Sequence, residues 1–100
     1  MNDWRTSPEC AGAIGSIRTW ITDRRSEVER GDIARARAAL EDPGWRIDMD
    51  LTGVPLPALA RIDEFVESAC DALADRDLAP ATAIRALDEA IAVVTPPGPP

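Results

Sequence analysis

From Leu59 to Leu73 the apolar side chains fall at Leu59, Ile62, Val66, Ala69 and Leu73, alternately three and four residues apart. That spacing follows the turn of an α-helix and puts all five on one face, with Phe65 and Cys70 widening the stripe. A one-sided apolar helix needs partners to cover it, so the rest of the chain has to be read for surfaces of the same kind.

Two such surfaces are present. Cys10, Ile14, Ile17, Ile21 and Val28 repeat the pattern with Arg24 as one polar interruption, and Ile84, Leu87, Ile91 and Val94 repeat it near the end of the chain. Ser7, Pro8 and Glu9 predict the first helix start: a cap, a proline suited to the first turn, and an acid at the positive end of the dipole. Gly31 followed by Asp32 predicts a stop and a new cap, with a second, shorter helix running through "IARARAAL" to about Glu41. Pro57 and Pro80 suit the openings of a third and a fourth helix. Early in the first helix, Ala11, Gly12, Gly15 and Ser16 form a small-residue surface that would let another backbone come close. Trp20 is expected to widen the first stripe, and Trp4 to staple against the first cap.

These elements predict an all-α fold, a small four-helix bundle forming a single helical domain over residues 1–95. The 45% hydrophobic content of the 100-residue chain is enough for one core. "TPPGPP" ends the chain, and residues 96–100 are expected to be a disordered Pro-rich tail. Its spacing is compatible with a proline-binding groove. The run "GDIARARAALEDP" resembles the hairpin turn and second helix of a tetratricopeptide repeat. It lacks that repeat's aromatic positions and does not recur, so the resemblance implies a helical hairpin and nothing more.

One segment breaks the helical pattern. "WRIDMDL", about residues 45–51 between the second and third helices, alternates strictly, with Trp45, Ile47, Met49 and Leu51 on one face and Arg46, Asp48 and Asp50 on the other. Two readings stand. The segment lies across the bundle and closes the core, or its unpaired edge meets the same segment of a second chain or a strand of a partner, with Trp45 as anchor.

Charge narrows the partners. A net charge of −7 and a pI near 4.4 oppose binding to nucleic acid or to anionic membranes. All eleven basic residues are Arg, which is read as the codon bias of a GC-rich bacterial genome, and the absence of an apolar leader or span places the expected site in the cytoplasm. Asp63, Glu67, Asp71 and Asp75 recur at intervals of four, with Glu64 beside them. Like charges at that spacing are mildly unfavourable. Solvent, the arginines of the first hairpin (Arg24, Arg25, Arg30, Arg35, Arg37), or a basic patch on a partner or second copy would answer them.

Catalysis is not expected, because the chain has no His, no Lys and no Tyr. A helical di-iron site needs His, and no phosphate-binding loop, CxxC or GxSxG occurs. "DMDLTG" opens like a calcium loop at Asp48, Asp50, Thr52 and Gly53, but Leu59 stands where the bidentate Glu is required and Pro55 intrudes. No metal and no cofactor are therefore expected. The Asp-Ser-Leu attachment site of acyl carrier proteins and the Trp-x-Gly turn of secreted helical hairpins are both missing. Cys10 and Cys70 are expected to be packed as small hydrophobes.

The expectation is thus a non-catalytic protein–protein interaction module: a small bacterial adaptor, accessory subunit or regulator that self-associates, as a homodimer or larger homo-oligomer. Its expected interface is Trp45, Ile47, Met49 and Leu51 for apolar contact and Asp63, Glu67, Asp71 and Asp75 for electrostatic contact. The alternatives are a helical ligand-binding or thiol-dependent protein around Cys10 or Cys70, and an antitoxin-like acidic regulator of a basic partner.

Overall fold

Gly31 stops the first helix as its sequence requires. In the computed structural model, which describes residues 4–42, 51, 53–74 and 79–96, Gly31 has φ +85°. Its N–H donates to the Val28 carbonyl at 3.1 Å, and the Asp32 N–H donates to the Glu27 carbonyl at 2.9 Å. This is the double closure of a Schellman turn, and glycine supplies the left-handed residue it needs.

Four α-helices result: α1 (Ala11–Glu29), α2 (Ile33–Glu41), α3 (Leu56–Ala72) and α4 (Pro80–Val94). No strand occurs among the described residues. The all-α four-helix bundle is the fold that forms. Its first helix begins later than Ser7, because Trp4–Thr6 and Pro8–Cys10 are 3-10 turns and the α-helical pattern starts at Ala11. The Ser7 side chain makes no cap; its carbonyl accepts the Cys10 N–H at 3.1 Å. Asp32 likewise contributes its carbonyl, to the Ala36 N–H at 3.0 Å, and not its carboxylate.

The helices close a ring. α4 packs most extensively on α3 and next on α1, while α2 lies between α1 and α3. Arg25 of α1 meets Asp88 of α4 at 2.6 Å, and Arg5, ahead of α1, reaches the Thr95 carbonyl beyond α4 at 2.9 Å, so α1 and α4 run antiparallel. The Ala79 N–H donates to the Ala72 carbonyl at 2.7 Å, which turns α4 back along α3.

α2 ends where the Cys70 thiol bonds Glu41, toward the C-terminal end of α3. Gly53, just before α3, sits against Cys10 so closely that an added Cβ would lie 2.7 Å from its sulfur. The end of α2 and the residues just before α3 thus stand near opposite ends of α3, about 21 Å apart at the helical rise per residue. Residues 43–50 lie outside the described residues, and with them Trp45, Ile47 and Met49 of the expected apolar face. Leu51 is described: it is half-buried against the core, and Val54 beyond it is buried.

The core follows the stripes with one correction. Cys10, Ile14, Ile17, Ile21 and Val28 are all buried, as are Leu59, Ile62, Val66, Ala69 and Leu73. On α4 the buried face is instead Ala83, Ala86, Leu87, Ala90 and Val94, with Ile84 and Ile91 half-buried at its flank. α4 is packed by both α1 and α3, and alanines along its contact line let the backbones approach closely. Among the described residues no other segment packs on Gly12 or Gly15. Both are exposed, and a Cβ on either meets nothing within 4 Å. Gly15→Ala is therefore expected to stabilise the fold by about 0.5–1 kcal/mol through helix propensity alone, read as a higher midpoint in urea. A lower midpoint would show that the small surface is needed for close contact after all.

One charge is inside. Glu27 on α1 is only 5% exposed. Arg24 Nε donates to its Oε1 at 2.6 Å, and Arg35 Nε from α2 lies 3.3 Å from Oε2. Arg24 also stands 5.3 Å from the centre of the Trp20 ring, within cation–π range. The polar interruption in the first stripe is thus the partner of a buried carboxylate that ties α1 to α2.

Candidate functional site

α3 divides its sides between two neighbours. Leu59, Ile62, Val66 and Ala69 face inward, and at about 100° per residue the positions Ala58, Arg61 and Phe65 fall toward α4, while Asp63 and Cys70 fall toward α2. The contacts agree. Arg61 and Phe65 share a cavity wall with Ala92 and Val93 of α4, and Cys70 meets Glu41 of α2.

On the α4 side lies an open groove of about 920 Å³ at the end of the bundle where α3 begins and α4 finishes. Its apolar wall is Trp4, Phe65, Pro55, Pro57, Ala58 and Val93. Sequence order explains the placement. The first 3-10 turn brings Trp4 onto the core, the Leu56 helix start puts two prolines at the mouth, and Phe65 lies at the edge of the α3 stripe. Leu56, between the two prolines, is 78% exposed, the one large hydrophobic residue so exposed among the described residues.

Arg5, Arg61 and Glu89 supply the polar wall. Arg5 is engaged with the Thr95 carbonyl. Arg61 and Glu89 make no ion pair among the described residues, although both line the same groove. A smaller cavity of about 520 Å³ adjoins on the other side of Trp4, bounded by Glu9, Cys10 and Gly53.

The acidic stripe is elsewhere, on the α2 flank and outer face of α3. Asp63 is half-buried and has an interaction partner, whereas Glu67 and Asp71 are exposed and form no ion pair among the described residues. Asp75 lies outside the described residues. Arg24 and Arg35 go to Glu27, Arg25 to Glu29 and Asp88, Arg30 to Asp32, and Arg37 to Glu41. Of the expected apolar set only Leu51 is described, at the other end of α3 from Asp71.

Neither thiol is poised for attack. Cys10 is buried at the start of α1. Burial pushes the Cys70 thiol up, Glu41 and Asp71 push it further, Arg37 opposes them, and the S–H donates to Glu41. The thiol is thereby held neutral at pH 7, and because its folded pKa lies above the unfolded one, its contribution to stability is lost as the pH rises through the folded value. Both cysteines are expected to react with an aromatic disulfide at least about tenfold more slowly in the folded chain than in urea. Fast folded-state reaction at either would revive a thiol-dependent role. Among the described residues no three His, Cys, Asp or Glu side chains gather to hold a metal ion, and no helix is long and apolar enough to cross a membrane.

No family model, curated protein or solved structure matches this chain.

The groove was not anticipated from the sequence. The one hint was Val93, an apolar residue off the expected α4 stripe, which does not by itself specify a groove.

Proposed function

We propose that this chain is a non-catalytic interaction module, a small bacterial cytoplasmic adaptor, accessory subunit or regulator that acts by contact and self-associates. The observation that carries the reading is the aromatic-walled groove, with Leu56 exposed in the chain between two of its lining prolines. Apolar surface left uncovered beside Arg61 and Glu89, which make no ion pair among the described residues, is the composition of a contact site, an apolar centre within a polar rim. The outer acidic face, with Glu67 and Asp71, provides a second, electrostatic surface for a basic partner. Against a catalytic role stand the missing His, Lys and Tyr and the neutral Cys70 thiol.

Light scattering over a concentration series tests the self-association. The full chain is expected to give a dimer mass that Leu56→Asp shifts to monomer without loss of helicity, since Leu56 contributes little to the core. The same shift with Ile47→Asp would assign the contact to the alternating segment instead. A monomer at all concentrations would remove self-association from the proposal.

A further inference from the structure

The groove's polar wall has a directional chemistry. The side chains of Trp4, Arg5 and Arg61 offer only N–H donors, and Glu89 is the one side-chain acceptor among the described lining residues. Helical segments have already paired their carbonyls internally, and a strand brings N–H groups and carbonyls in equal number. A proline-rich segment in the polyproline II form presents open carbonyls, has no N–H at its prolines, and packs its rings on aromatic side chains. Trp4 and Phe65, with Pro55 and Pro57 at the mouth, supply that apolar wall.

One contact of this type is already made. Arg5 Nη1 donates to the carbonyl of Thr95 at 2.9 Å, and Thr95 is the residue that opens "TPPGPP". A guanidinium of the groove thus holds the carbonyl of the residue that precedes Pro96, the cap of α4 beside Ala92 and Val93 of the same wall. Arg61, without an ion pair among the described residues, is placed to hold a second carbonyl or an acidic side chain in the same ligand.

We infer that the groove between Trp4, Arg61, Phe65 and Val93 binds an extended proline-rich segment of a partner protein through ring stacking and guanidinium-to-carbonyl hydrogen bonds. The inference names the partner class for the contact site proposed above and rests on that reading.

The experiment is a titration of the isotope-labelled full chain, followed by NMR, with the blocked peptide acetyl-TPPGPP-amide and with acetyl-TAAGAA-amide as control. The proline peptide is expected to shift the Trp4 indole signal and the Arg61 and Phe65 amides, with a dissociation constant of about 1 mM or tighter. Arg61→Glu, at an exposed position that spares the core, is expected to weaken binding at least about tenfold while leaving the rest of the spectrum in place. Trp4→Phe, which keeps a ring and removes the N–H, is expected to weaken it less. Binding that appears only once residues 96–100 are removed would support the same chemistry, with the chain's own run competing for the groove. No shift in either form of the chain, equal shifts from the alanine control, or undiminished binding by Arg61→Glu would overturn the inference. Light scattering on the same samples separates the outcomes: a dimer broken by Leu56→Asp but indifferent to the peptide leaves the contact site standing and removes only the proline ligand.

Discussion

Leu87→Ala is expected to lower the unfolding free energy by about 3–4 kcal/mol, a large part of what a chain of this size has in total. Leu87 is fully buried on α4, between α1 and α3, and its α4 neighbours in the core are Ala83, Ala86 and Ala90. Alanines have no longer side chain to swing into the space, so the cavity would stay open and its full cost be felt. Urea unfolding with an unchanged slope measures the loss. Ile84→Ala removes a half-buried side chain from the flank of the same helix and is expected to cost about 1–2 kcal/mol. A reversed order would restore the face that spacing alone selects, centred on Ile84 and Ile91.

Glu27→Ala is expected to cost about 3 kcal/mol, the scale for removing one partner of a buried ion pair. The carboxylate is 5% exposed, and Arg24, its partner at 2.6 Å, has a side chain only 16% exposed. Removing the acid leaves that guanidinium short of a partner in a poorly solvated place, with only the Trp20 ring face beside it. Glu27→Gln keeps the shape and one acceptor oxygen, and is expected to cost about half as much. Arg35, 77% exposed, should matter little: Arg35→Ala is expected to change stability by less than about 0.5 kcal/mol. Equal costs for Glu27→Ala and Arg35→Ala would show that the pair is a surface bridge and the burial argument mistaken.

The two substitutions mark where sequence reading stopped. Helix existence and helix faces were legible at α1 and α3 because Ile14, Ile17 and Ile21, and Ile62, Val66 and Leu73, are large, and large residues at helical spacing have one way to be hidden. The face of α4 was displaced because alanine carries almost no hydrophobic signal. Packing by two helices favours it for size, a demand made by the neighbours and not by α4 itself. Glu27 was invisible for a related reason: a Glu one residue before Val28 looks like solvent-facing charge until α2 folds back and Arg35 arrives beside it.

The candidate site shows the same division. Cys10 and Cys70 could be assigned to packing from the stripes they sit on, and the missing His, Lys and Tyr could be read directly. The groove could not, since it joins residues from three distant parts of the chain, Trp4, Phe65 and Val93, which no periodicity connects. The strict alternation of "WRIDMDL" predicts an extended segment, most of which lies outside the described residues. By itself, then, the sequence determined four helices, the buried faces of α1 and α3, the glycine stop at Gly31 and the chemistry the chain lacks, all of which depend on neighbours within a few turns. Only the tertiary structure decided which face of α4 is buried, which charge is inside and where an apolar groove stays open, because each depends on side chains that distant segments bring together.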